Sequence, residues 1–145
     1  MSAEPETIRA WRALLDQPRA ALEPSEVRED SYYGQLYPLT LVRDPSVFPG
    51  NLYFDGDAPV LAYVEQPERF APDVTAAALL ALVGEDAERL ASRASKPSRL
   101  LVAAERGIAI SARLEQSVDY LELFAPMSAE EYRRRLYAQP PAFQK

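Results

Sequence analysis

The side chains in this chain that could do chemistry are carboxylates, arginines and tyrosines, because its 145 residues include no histidine and no cysteine. Asp55, Asp57, Glu65 and Glu68 fall close together, and carboxylates at short spacing are what a hard cation such as magnesium or calcium takes as ligands. Their pattern is not that of a calcium loop, and a hairpin turn accounts for Asp55-Gly56-Asp57, so no metal site is expected. Zinc, copper, haem and iron–sulfur centres of the usual ligation need cysteine or histidine and are excluded.

Proton transfer near neutrality would need a carboxylate, lysine or tyrosine shifted by its surroundings. Two carboxylates across a cleft could serve glycoside chemistry, but a chain with 22 acidic residues always offers such pairs. Arg106, in Glu-Arg-Gly, could polarise an anion, although an arginine in that tripeptide is more often a solvated turn residue. The five glycines (Gly34, Gly50, Gly56, Gly84, Gly107) form no phosphate-cradling loop. The expectation is a protein that is not an enzyme and holds no cofactor.

Tyrosine is the residue type that points to a function. Tyr32, Tyr33 and Tyr37 cluster in sequence, and Tyr53 and Tyr63 fall on strands expected beside them. A tyrosine ring offers a large apolar face and a polar tip at small entropic cost, which suits it to partner recognition. These five are the expected partner-binding residues. The competing placement is core packing with the hydroxyls at the rim.

The elements that must position them can be read from periodicity and punctuation. Ile8, Trp11, Leu14 and Leu15 lie on one face of a helix over Thr7 to Gln17, which Pro18 ends. Glu23 to Asp30 is polar and reads as a connector. An aromatic and β-branched run predicts a strand near Tyr37 to Arg43. Leu52 to Phe54 and Val60 to Val64 flank the Asp-Gly turn and predict a hairpin. Asp73 or Thr75 caps a buried helix through Val74 to Val83, stopped by Gly84, and Glu85 to Lys96 reads as a second short helix.

Leu100 to Ala104, Ile108 to Leu114 and Val118 to Phe124 then predict a meander. In its middle strand Ile108, Ile110, Ala112 and Leu114 face one way and Ser111 and Arg113 the other, as with one buried face. Ser128 to Glu131 is a capping box that opens a terminal helix to Tyr137, with Tyr132 and Leu136 docked. The expected fold class is α+β, an antiparallel sheet of about six strands in the order α-βββ-α-βββ-α, as one domain over 1–145 with flexible ends at about 1–5 and 139–145. No internal repeat is legible.

In element order alone the chain resembles the small acidic chaperones of type III secretion systems, and that resemblance implies a dimer that holds an extended partner segment. Asp73 to Phe124 also resembles small bacterial lipoprotein domains of the outer-membrane assembly type, whose lipidated cysteine this chain does not have. No sequence motif carries either likeness.

Composition bounds the partners. The formal charge is -6, the wrong sign for a nucleic-acid backbone, so a protein partner of basic character is expected. Only Lys96 and Lys145 among the 16 basic residues are lysines, which reads as a GC-rich, bacterial codon bias. No apolar run approaches a membrane span, and Glu4 and Glu6 stand where a signal peptide would be basic, so a cytoplasmic location is expected. The functional expectation is a non-enzymatic protein-binding module of chaperone, adaptor or immunity type, with a homodimer as one form. The alternatives are a small-molecule domain with a Tyr/Arg-lined pocket and weak enzyme activity, and a structural subunit of a larger assembly.

Overall fold

Eight strands, two more than the turn signals predict, form one antiparallel sheet in the computed structural model, which describes residues 4–30, 32, 38–92, 98–113 and 117–137. The elements run α1 (Glu6–Ala13), β1 (Glu26–Asp30), β2 (Leu39–Arg43), β3 (Asn51–Asp55), β4 (Ala58–Glu65), α2 (Ala76–Val83), β5 (Glu88–Ala91), β6 (Ser98–Ala103), β7 (Ile108–Arg113), β8 (Ser117–Phe124) and α3 (Ala129–Arg135). Strand order across the sheet is β1-β2-β3-β4-β8-β7-β6-β5. The α+β class stands, and the order is α-ββββ-α-ββββ-α in place of the three-strand halves expected.

Both extra strands are edge strands, and both are polar. Glu-Val-Arg-Glu-Asp forms β1, where a connector was expected, because its backbone pairs with β2 from Glu26↔Arg43 to Asp30↔Leu39. Glu-Arg-Leu-Ala forms β5, where a short helix was expected, by pairing with β6. An edge strand has one ladder of partners and little burial, so its sequence lacks the apolar alternation that marks inner strands. The charges on these edges also discourage addition of a further strand.

The hairpin forms as predicted, with Asp55↔Ala58 closing a two-residue turn of Gly56 and Asp57. Among the described residues of that turn only Gly56 has positive φ, at 63°, as the primed turn with glycine at its first central position requires. Thr75 Oγ1 caps α2 by accepting from the Ala78 amide at 3.1 Å, and Gly84 ends it at φ 83°. Asp73 has a different task. Its carboxylate accepts from the amide and hydroxyl of Thr7, at 3.0 and 2.7 Å, and so holds the first turn of α1 against the entry to α2. The Thr7 hydroxyl bond, then the amide bond, keep its pKa below the usual aspartate range.

Each face of the sheet carries a core. On the first, Val42, Leu52, Phe54, Ala62, Val64, Ile108, Ile110, Leu121 and Leu123 pack beneath α1 and α2, with Trp11 edge-on to Phe48 at 5.4 Å. On the second, Leu39, Leu41, Tyr53, Leu61, Leu100, Val102, Ala109 and Phe124 pack with Tyr32, Tyr132 and Leu136. The expectation of one wet face on β7 is therefore corrected, because Ala109 and Ser111 are as buried as Ile108 and Ile110. Ser111 satisfies its hydroxyl there with Ser92, at 2.5 Å, and Asp119, at 2.9 Å.

The chain also contains a structural repeat that its sequence conceals. Strands β4 and β8 are both eight residues long, and each is bulged at its third residue. Pairing runs Tyr53↔Leu61 and then Phe54↔Pro59, leaving out Val60, and Ser111↔Tyr120 and then Ala112↔Val118, leaving out Asp119. The row Leu41–Tyr53–Leu61 thus corresponds to Leu100–Ser111–Tyr120. Each half is a helix followed by a four-stranded meander, and the halves meet where β4 pairs with β8. The correspondence lies in register and bulges and not in residue identity, since Val60 answers to Asp119 and Tyr63 to Glu122.

Candidate functional site

At that seam Tyr63 and Glu122 are cross-strand neighbours, each the sixth residue of its strand. Glu122 points into the second core and is 1% exposed. Two hydroxyls donate to its carboxyl, Tyr132 from α3 at 2.5 Å and Tyr32 from the β1–β2 connection. Burial pushes its pKa up to about 7, against the lowering pull of both hydroxyls. The Tyr132 hydroxyl is itself held well above the usual tyrosine range, first by burial and then by the carboxyl it touches.

Three of the five expected tyrosines converge on this point. The Tyr32 ring lies 4.8 Å from Tyr53 and 5.6 Å from Tyr63, and Tyr120 extends the group at 5.2 Å from Tyr63. Tyr32, Tyr53 and Tyr63 are 3%, 4% and 9% exposed, so the sheet brings them together as core and not as a wet patch. Tyr33 and Tyr37 lie outside the described residues, as do Leu114 and the ends 1–3 and 138–145. Tyr63 is the member that reaches a surface. Its hydroxyl donates to Glu65 at 3.2 Å, and with Tyr120 it lines an open depression of about 780 Å³.

The depression is walled by two connections and by the bulged start of β8, which proline and backbone irregularity shape. Arg43, Pro45, Pro49 and Asn51 come from the end of β2 and the start of β3, and Glu65, Gln66, Arg69 and Phe70 from the end of β4 and the turn after it. Gln66 has φ 49°, the left-handed region seldom taken by a residue other than glycine, and its amide donates to the Asp119 carbonyl at 3.0 Å. The Asp119 bulge turns that residue's carboxylate to accept from Ser98 at 2.6 Å and Ser111 at 2.9 Å. Phe70 stands beside these walls at 50% exposure.

The carboxylates suspected of metal binding have separate tasks. Asp57 accepts from the Ala20 amide at 3.3 Å, Glu68 from the Val118 amide at 3.2 Å and Glu65 from Tyr63. Among the described residues no three acidic side chains gather where a cation could sit. Arg106 donates to the Val83 carbonyl at 2.7 Å and pairs with Asp86 at 3.3 Å, which fastens the turn before β7 to the end of α2.

Sequence reasoning missed Glu122, Arg43, Arg69 and Phe70. Glu122 carried one usable signal, an acidic residue inside the otherwise apolar run Tyr120 to Phe124, where only a partnered or functional carboxyl is tolerated. No protein family matches the chain, and no curated protein or solved structure matches it. No helix among the described residues is long and apolar enough to cross a membrane.

Proposed function

We propose that this chain is a non-enzymatic protein-binding module whose contact surface is the depression between Arg43 and Tyr120. The observation that carries the reading is Phe70, a half-exposed aromatic beside an open, tyrosine-floored hollow that also presents two arginines. Exposed aromatics and arginines of this kind are the side chains that anchor protein interfaces. Catalysis is the weaker reading, because Glu122, the one carboxyl shifted toward neutrality among the described residues, lies buried out of reach of a substrate. The chaperone, adaptor and immunity roles all fit such a module, and its net negative charge would speed encounter with a basic protein.

The hollow also falls in the volume range of small-molecule sites, and this supports the second reading. One comparison separates them. The tagged protein and its Phe70→Ala, Arg69→Glu double variant are used to capture partners from the cells that make it. A stoichiometric protein retained by the first and lost by the second supports the proposal. No protein capture, with a thermal shift produced by a small-molecule library, moves the assignment to a ligand-binding domain.

A further inference from the structure

The second face of the sheet carries both α3 and the depression. Tyr63 and Tyr120, at the floor of the hollow, belong to the same buried layer as Tyr132 and Leu136. Tyr137 packs against that layer, and its amide donates to the Tyr132 carbonyl at 3.0 Å. Its hydroxyl donates to the Ala91 carbonyl, also at 3.0 Å. Ala91 stands in the row Ala91–Arg99–Ala112–Val118, and Asp119, the next residue along β8, lines the hollow. Tyr137 is thus anchored on the face and at the end of the sheet where the hollow opens. Three strand spacings, about 14 Å, separate Ala91 from β8. The other end of the described chain is held far from there, since Glu4 pairs with Arg12, which donates to the Gly107 carbonyl beside Phe124.

We infer that the depression is the seat of this chain's own segment 138–145, Ala-Gln-Pro-Pro-Ala-Phe-Gln-Lys, which a partner must displace in order to bind. That segment lies outside the described residues, and three observations fit it to the hollow. The first is reach. Pro140 and Pro141 favour an extended polyproline backbone at about 3.1 Å per residue, which carries Phe143, six residues past Tyr137, about 19 Å. The second is charge. Arg43 and Arg69 in the lining are matched in number by Glu65 and Asp119, so the hollow suits an occupant without net charge, and residues 138–144 carry none. The third is surface chemistry. Pro45, Pro49 and half-exposed Phe70 offer an apolar rim, and a proline-rich segment with one aromatic is what an aromatic-bordered groove takes. Tethering holds the segment near the hollow at about millimolar concentration, so even a weak seat is filled.

The absence of cysteine makes the test direct, because Lys145→Cys gives the full chain a single attachment point for a nitroxide. The nitroxide should broaden the amide signals of Gln66, Phe70 and Tyr120, and adding Phe143→Ala should sharpen them again. An equal mixture of nitroxide-bearing protein with isotope-labelled protein that lacks the nitroxide separates the chain's own segment from that of a second copy. Broadening in the mixture means that another copy supplies the segment, and overturns the inference. A synthetic peptide of residues 138–145 is the second probe. It should bind the Phe143→Ala chain at least about tenfold more tightly than the wild type, whose hollow is already filled. Hollow signals that stay sharp, or equal peptide affinities for the two proteins, overturn the inference. It rests on the reading of the hollow as a contact surface only for what the segment competes with. An empty hollow leaves that reading to the capture comparison, whereas a filled one in a chain whose Phe143→Ala variant captures no protein refutes that reading alone.

Discussion

Tyr63 and Glu122 face one another across the β4–β8 seam as equivalent residues of a duplicated meander, and their difference in chemistry divides the molecule. The glutamate draws two tyrosine hydroxyls, from Tyr32 and Tyr132, onto its carboxyl and is sealed. The tyrosine turns its hydroxyl to Glu65 and borders an open hollow. One half of the sheet thereby closes under its own helix, and the other offers a surface.

Stability should fall as pH rises through neutrality, and Glu122 is the cause. Its folded pKa, about 7, lies above its unfolded value near 4.5, so the stabilising difference is fully present below 4.5 and lost as pH rises through 7. The loss amounts to about 3 kcal/mol. Denaturant melts of the wild type should show it between pH 4.5 and 8, with Glu122→Gln nearly flat over that range. Equal slopes for the two proteins would show that the carboxyl is not protonated in the fold.

The Tyr132 hydroxyl and ring can be separated. Tyr132→Phe keeps the packing on Phe124 but removes one of the two donors to a buried carboxyl, and should cost about 1–3 kcal/mol. Tyr132→Ala adds a cavity under α3 and should cost about 3–5 kcal/mol. Chemical denaturation measures both. An unchanged midpoint for the phenylalanine variant would mean that water replaces the hydroxyl.

Two glycines should respond very differently to alanine. A Cβ on Gly50 would stand 2.0 Å from the Tyr63 carbonyl oxygen and 2.8 Å from the Val64 Cα, so the strand behind the hollow must move. Gly50→Ala should therefore cost about 1–3 kcal/mol and weaken whatever the depression binds. At Gly56 the added Cβ meets nothing within 4 Å, and only its φ of 63° resists, for about 1 kcal/mol. Thermal melts of the pair check the contrast.

The sequence by itself determined the elements whose signals are local. The hairpin around Gly56, the Thr75 and Ser128 caps and the stop at Gly84 all follow from a few adjacent residues, and all are present. The α+β class follows from their order. Only the tertiary structure decided the rest, because it depends on pairing between distant segments. Polar β1 and β5 become strands only through the partners that β2 and β6 supply. Tyr32, Tyr53 and Tyr63 look alike in sequence whether they face water or each other, and it is the cover over the second face of the sheet that buries them. Register and bulge position, which pair Tyr63 with Glu122 at the seam, leave no trace in residue identity. A backbone ladder fixes spacing and direction while leaving each half free to fill its row with different side chains.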